Sequence, residues 1–113
     1  MDCLFCRIIA GEIPSEKVYE DKDLFAFRDI DPKAPTHILV IPKKHIQSVN
    51  QIDEDNVHVI SKAYIVLKKL AQKEGIDESG YRIVVNTNED GGQSVGHLHF
   101  HLLGGRSLSW PPG

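Results

Sequence analysis

Three histidines occupy alternate positions between Gly96 and Leu103 of this 113-residue chain, and the positions between them are apolar. Because strand side chains alternate between two faces, His97, His99 and His101 are predicted to share one face of a strand. At roughly 3.3 Å per residue the outer pair lies about 13 Å apart, too far for all three to bind one metal ion. The spacing favours one imidazole as nucleophile or base and its neighbours as sources of charge. A surface metal site on a His-rich strand is the alternative.

A glycine-rich segment, Asp90-Gly-Gly-Gln-Ser-Val95, precedes this strand. Paired glycines followed by a serine can turn several backbone N–H groups toward one anion, although such a segment is also typical of a hairpin loop. Imidazole is a competent nucleophile at phosphorus, and N–H donors stabilise the charge that develops there. The loop and the histidines together therefore indicate chemistry on a phosphate.

Both cysteines lie in the motif Cys3-x-x-Cys6. The motif is compatible with half of a zinc site, a redox pair or two bystanders, and a redox role is the weaker choice because only two residues precede Cys3. Four-coordinate zinc needs two further ligands, for which His37, His45, His58 and the three alternating histidines are candidates.

Composition places the chain among ordinary globular proteins, with 41% hydrophobic residues, 26% charged residues and a net charge of −3. We expect one domain, residues 1–113, small enough for self-association to help its stability. The sequence lacks the basic excess typical of nucleic-acid binding. Glu12 and Pro14 interrupt the N-terminal apolar run too early for a secretory signal, and no apolar run has membrane-spanning length. A cytoplasmic location with no membrane partner is expected.

The periodicities predict an α+β fold, in which an antiparallel five-stranded sheet carries one long and one short helix. Asp53 is predicted to cap the long helix, which ends at Gly75, and the short helix covers residues 4–9. The other predicted elements are strands at Lys17–Glu20, Leu24–Ile30, His37–Ile41, Tyr81–Asn86 and the histidine strand.

The run of histidines, followed by two apolar residues, resembles the signature of the histidine triad (HIT) superfamily of nucleotide hydrolases and transferases. The segments Ala34–His45, Asp90–Val95 and Trp110–Gly113 resemble its branch of histidine triad nucleotide-binding proteins, the purine nucleoside phosphoramidases, in the zinc-containing Cys-x-x-Cys form. The similarity covers nearly the whole chain. It implies the same α+β fold, with the sheet extended across a two-fold homodimer.

The resemblance also implies a mechanism. His99 would attack the α-phosphorus of a nucleotide and form a nucleotidyl-histidine, which water then hydrolyses. His101 would bind the phosphate, Ser94 would hydrogen-bond the leaving group, and His37 would assist the protonation of the triad. From the residues alone, His37 could equally be a satisfied strand residue and Ser94 a turn residue.

Two further sets of residues follow from the resemblance. The Zn²⁺ ion, one per chain and structural, would be held by Cys3, Cys6, His45 and His97. Contacts to the nucleotide are implied for Phe5, Ile8, Phe27, Asp29, Ile30, Leu39, Asn86, Gly92, Gln93, Ser94, Val95, His99 and His101. Within this set Asp29 would bind the ribose hydroxyls, because an ionised carboxylate accepts two hydrogen bonds, although Asp29 could also merely start a turn.

The expected activity is hydrolysis of purine nucleoside phosphoramidates, releasing AMP or GMP from an amine. His101 replaces the glutamine found in the transferase branch, which favours hydrolysis over transfer. Hydrolysis of dinucleoside polyphosphates is an alternative, as is a zinc-stapled nucleotide-binding or interaction protein with incidental activity. A metalloenzyme with His97 and His99 as catalytic ligands is a third possibility.

Overall fold

The computed structural model describes residues 3–113, so Met1 and Asp2 of the predicted domain lie outside the described residues. A five-stranded antiparallel sheet, in which the last strand of the chain lies between the third and the fourth, confirms the predicted α+β class. A single turn of 3₁₀ helix at Val49–Gln51 precedes the long helix. The elements are α1 (Leu4–Ile9), β1 (Lys17–Glu20), β2 (Leu24–Arg28), β3 (Thr36–Pro42), α2 (Val57–Lys73), β4 (Tyr81–Val84), α3 (Asn88–Gly91) and β5 (Phe100–Gly104).

The sheet is covered on both faces, so β2 and β3 are buried along nearly their whole length. The long helix α2 packs its apolar side on one face, where it meets Leu98, Phe100 and Leu102. The short helix α1 covers the opposite face, where Phe5 and Ile8 join the apolar residues of β2 and β3. As predicted, the apolar residues that alternate with the histidines face the core under α2.

Strand register decides which histidines meet. Leu39 of β3 lies opposite His101 of β5, and His37 lies opposite Leu103. His37 and His101 are consequently diagonal neighbours on one face of the sheet, within reach of each other's side chains. Phe27 of β2 pairs with Leu39, which continues the row across the sheet.

Several predicted strand bounds are wrong at their ends. The histidine strand pairs only from Phe100, because its partner β3 ends at Pro42, which has no N–H to donate. The preceding residues are unpaired in the sheet, with a bend at residues 95–97, and the Leu98 N–H donates instead to the carbonyl of Ile46 (2.6 Å). The strand predicted to reach Asn86 stops at Val84, opposite His101, because its partner β5 begins at Phe100 and offers no paired strand beyond it.

The predicted cap of the long helix is also displaced. α2 begins at Val57 with Asn56 as its cap, while the Asp53 carboxylate accepts the N–H groups of Asp55 (2.9 Å) and Asn56 (3.1 Å). Asp53 thus caps the turn that leads into the helix. The short helix α3, which no sequence pattern predicted, ends at Gly91 and is capped by Gly92, whose φ is 79°.

Candidate active site and metal centre

A cavity of about 240 Å³ opens on the α1 face, between α1, β2, β3 and the loop that follows α3. Most of the residues predicted to contact a nucleotide line it: Phe5, Ile8, Phe27, Asp29, Ile30, Leu39, Ser94, Val95, His99 and His101. Apolar side chains form its inner wall, and Asp29, Ser94 and the two histidines supply polar groups. This combination is typical of a small-molecule site.

His99 is 3% exposed and contacts the ring of Phe5, with centroids 5.1 Å apart. Its Nδ1 lies 2.7 Å from the carbonyl oxygen of His97, which can only accept a hydrogen bond, so Nδ1 carries the proton. Burial lowers the pKa of His99, so the imidazole is neutral at neutral pH. Its Nε2 is then left with a lone pair, which is the form a nucleophile needs.

A chain of hydrogen bonds sets the tautomers of His37 and His101. The Lys33 N–H donates to His37 Nδ1 (3.1 Å), so a neutral His37 carries its proton on Nε2. That nitrogen lies 2.9 Å from His101 Nδ1 and donates to it, which places the proton of His101 on its own Nε2. Within residues 3–113, His101 Nε2 is the one buried side-chain nitrogen or oxygen without a hydrogen-bond partner.

Burial keeps this pair of histidines uncharged. Burial, together with the neighbouring imidazoles of His99 and His37, lowers the pKa of His101 to about 4. Burial also lowers the pKa of His37, against the opposing effect of the Asp29 carboxylate, whose Oδ2 lies 3.5 Å from His37 Nε2. At neutral pH the site therefore presents an N–H donor on His101 and a lone pair on His99.

The loop after α3 is fixed by one side chain. Gln93 donates to the carbonyls of Gln47 (2.7 Å) and Val95 (3.0 Å), and its Oε1 accepts the N–H of Asn88 (2.9 Å). Gln93 itself does not line the cavity, and neither does Gly92. Both residues shape the loop that presents Ser94 and Val95.

Asn86 and His37 lie on the other side of His101, in an adjoining open groove of about 540 Å³. His101 lines both the groove and the cavity. The predicted nucleotide residue Asn86 is thus next to the histidines but outside the apolar cavity.

Four residues predicted as zinc ligands converge at the N-terminus of α1: Cys3, Cys6, His45 and His97. Cys3 Sγ lies 3.3 Å from His97 Nδ1, and Cys6 Sγ lies 3.4 Å from His45 Nδ1. All four ligand atoms lie within 4.8 Å of one another, as around a single ion. The His97 Nε2–H donates to the Pro42 carbonyl (2.8 Å), which leaves Nδ1 free to ligate, a common second bond of metal-binding histidines. A structural metal ion fits this donor set.

A second group, Asp29, His37 and His101, also has ligand atoms within 4.8 Å of one another. Here the imidazole nitrogens are 2.9 Å apart while the ring centroids are 5.2 Å apart, so the two nitrogens point at each other. Nitrogens that share a proton in this way do not converge on an ion. The geometry is that of a hydrogen bond.

Sequence patterns did not indicate every cavity residue. Leu4 of α1 also lines it, as do Ile13, Pro14 and Ser15 of the segment that follows α1. The apolar run and Pro14 predict the helix and its end, but not which face of the sheet they cover. No helix within residues 3–113 has the length and apolar character needed to cross a membrane.

Comparison with known proteins gives the same picture. Residues 10–108 match the HIT domain family. The purine nucleoside phosphoramidase of Escherichia coli K12 is 50% identical over 107 residues, which are 95% of this chain and 90% of that protein. An uncharacterised HIT-like protein of Synechococcus elongatus is 50% identical over 112 residues, 99% of this chain and 97% of that protein. The crystal structure of a HIT family hydrolase from Legionella pneumophila has a TM-score of 0.97 and 56% identity, covering 99% of this chain and 100% of that one.

Proposed function

Because the chain belongs to the HIT domain family, we propose that it is a hydrolase that cleaves the P–N bond of purine nucleoside 5′-phosphoramidates. The observation that carries the proposal is the pairing of a lone pair on His99 with an unpartnered N–H on His101 at one cavity. The 50% identity to the E. coli phosphoramidase supports the substrate class.

The purine base enters the apolar part of the cavity, between Phe5, Ile8, Phe27 and Leu39. Stacking on aromatic rings and burial of apolar surface would hold it there. The ribose hydroxyls donate to the carboxylate of Asp29 at the rim, beside Ile30, which is 96% exposed. This orientation brings the α-phosphate to the histidines.

His99 Nε2 then attacks the phosphorus. An N–P bond forms and the bond from phosphorus to the amine nitrogen breaks. The Ser94 hydroxyl hydrogen-bonds the departing nitrogen, which takes up one proton from solvent and leaves as the amine; one proton returns to solvent when water attacks in the second step. The Nε2–H of His101 donates to a phosphoryl oxygen, with the Asn86 amide alongside, and stabilises the negative charge of the transition state. Water attacks the nucleotidyl-histidine in the second step, which releases AMP or GMP and restores His99.

We propose Zn²⁺ as the metal of the cysteine and histidine site, because two thiolates and two imidazoles form a typical structural zinc set. When bound, the ion supplies cross-linking rather than chemistry. Cys3, Cys6, His45 and His97 tie the start of α1 to the loop after β3 and to the segment before β5. The site thereby holds Phe5 against His99.

We also propose a two-fold homodimer in the cytoplasm. The strand β4 lies at an edge of the sheet, and Tyr64 and Ile65 of α2 are about half exposed. An unpaired edge beside exposed apolar side chains is typical of a surface that another chain covers. The exposed Trp110 of the tail would then approach the partner's active site.

Hydrolysis of dinucleoside polyphosphates is the second candidate. It would use the same nucleophile but needs room for a second nucleoside beyond the phosphate. The groove of about 540 Å³ on the far side of His101 is the observation that favours it.

The decisive experiment compares wild type, His99→Ala and His58→Ala on adenosine 5′-phosphoramidate, with mass detection of a trapped AMP adduct. His58 is an exposed histidine of α2 and serves as the matched control. We expect turnover and adduct in wild type and in His58→Ala, and neither in a folded His99→Ala. Turnover by His99→Ala would refute the nucleophile. If wild type cleaves only a dinucleoside polyphosphate, the second candidate is correct.

A further inference from the structure

Arg106 is a charged side chain that donates only to carbonyl oxygens in the described structure. Its Nε and Nη2 both donate to the carbonyl of Lys33 (3.1 and 2.9 Å), and its Nη1 donates to Ser107 (2.9 Å). Lys33 lies 73 residues earlier, in the loop of residues 29–35 that joins β2 to β3. Hydrogen bonds from a charged donor are stronger than neutral ones. Arg106 therefore holds this loop at the end of the sheet where β3 begins and β5 ends.

The glycine before Arg106 allows its side chain to reach the Lys33 carbonyl. Gly105 has φ of +91°, in the region that favours glycine, and a Cβ on it would lie 2.9 Å from the Cβ of Pro35. Only a residue without a side chain allows the chain after β5 to pass this close to the β2–β3 loop. The positions of Gly105 and Arg106 are thus coupled.

The β2–β3 loop has few other anchors near Lys33. Asp29 makes a local turn by accepting the N–H of Asp31 (2.9 Å), and the Lys33 side chain pairs with Asp31. Most of the loop is exposed, and its backbone bond to a strand comes at its start, where the Asp29 N–H donates to the carbonyl of His37 (2.9 Å). The Lys33 backbone takes part in two contacts: its carbonyl accepts hydrogen bonds from Arg106, and its N–H donates to His37.

This N–H is the start of the hydrogen-bond chain that places the His101 proton. It forces His37 to carry its proton on Nε2, and His37 in turn forces His101 to do the same. If the Lys33 N–H moves away, His37 Nδ1 can also carry the proton, against the preference of the Asp29 carboxylate, whose Oδ2 lies 3.5 Å from Nε2, for a proton on Nε2. His101 can then present a lone pair instead of a donor to the phosphate.

We infer that Arg106 is a positioning residue, which acts through the Lys33 backbone and His37 to keep His101 Nε2 a hydrogen-bond donor. The inference rests on the proposed hydrolase function, since the donor's target is the phosphoryl oxygen of the substrate. Arg106 itself lies outside the apolar cavity, on the wall of the adjoining groove that His37 and His101 also line. Its effect belongs to the chemical step rather than to the binding of the base.

The test uses long-range ¹H–¹⁵N spectra of the full-length protein at pH 7.5, which report the protonated nitrogen of each histidine, together with steady-state kinetics on adenosine 5′-phosphoramidate. In wild type we expect Nε2–H on His37 and His101. In Arg106→Gln we expect mixed tautomers and a kcat lower by about tenfold, with KM within about threefold, because a displaced catalytic group costs rate. Arg106→Lys retains one charged donor and should lie between them.

Arg82→Gln is the matched control for the spectra, because Arg82 also donates to backbone carbonyls, those of Leu108 and Ser109. It should retain the wild-type tautomers. Unchanged tautomers in Arg106→Gln, or a kcat within twofold of wild type, overturn the inference. If Arg106→Gln does not fold, the same two criteria apply to Arg106→Lys. Absence of wild-type turnover would instead refute the proposed function, and the spectra would still show whether Arg106 sets the tautomers.

Discussion

Substitution of two phenylalanines of β2, Phe25 and Phe27, can distinguish an effect on the stability of the core beneath α1 from an effect on nucleotide binding. Phe25 and Phe27 point to the same face, are 5% and 4% exposed, and have ring centroids 6.0 Å apart. Both belong to the same apolar cluster, but only Phe27 lines the cavity, where its ring meets that of Phe5 at 5.6 Å. Replacing each by leucine should therefore have similar structural effects and different functional ones.

The expected magnitudes follow from this geometry. Leucine retains much of the apolar volume, so each substitution should lower the free energy of unfolding by about 1 kcal/mol. Phe27→Leu also removes an aromatic face from the base site, an interaction worth about 0.5–1.5 kcal/mol beyond burial. This loss corresponds to a Kd for AMP that is about 2- to 12-fold higher. Phe25→Leu removes no aromatic contact with the base, so its Kd for AMP should equal that of wild type.

Titration calorimetry with AMP and urea unfolding measure the two quantities separately. Phe25→Leu serves as the control, since it carries the same change on the same strand face. Equal increases of Kd in both variants would mean that affinity follows core stability, and would refute placement of the base against Phe27. An unchanged Kd in both would refute it as well.

Two further predictions concern stability. Zinc added at about a thousand times its Kd should raise the free energy of unfolding of the metal-free wild type by about 4 kcal/mol, as measured by urea unfolding. Cys6→Ser should abolish this increase. Equal stabilisation of both proteins by zinc would contradict the assignment of Cys6 as a ligand. Hydrogen bonds from Arg28 lower the pKa of Glu74 in the folded protein. They therefore stabilise the fold fully above the pKa of a glutamate in the unfolded chain, about 4.3, and this stabilisation is lost as the pH falls through the pKa of Glu74 in the folded protein. Glu74→Gln should cost about 1–2 kcal/mol at pH 7 and progressively less at lower pH, as measured by urea unfolding between pH 3 and 7; a cost that does not vary with pH would argue against a role for the carboxylate charge.

Local pattern was sufficient for much of the site. The alternation around His99 placed its apolar neighbours in the core and the imidazoles on the opposite face, and the helical repeat before Gly75 indicated α2. Strand ends were less predictable, because they depend on the partner strand: β5 starts at Phe100 only because β3 ends at Pro42. The cap at Asp53 was misplaced because a carboxylate can cap either a helix or the turn that precedes it.

The sequence by itself determined the chemistry that is available, since residue types and their spacing set which groups can be nucleophile, donor or metal ligand, and a strand's alternation sets the face they share. Only the tertiary structure decided the state of those groups. The position of the proton on His101 depends on the Lys33 backbone N–H and on His37. His37 reaches His101 because β3 and β5 pair in one particular register. Four side chains that could hold a metal ion, separated by up to 94 residues in the sequence, converge only when α1 docks on the sheet. Such contacts depend on packing between distant segments, which local sequence patterns do not encode.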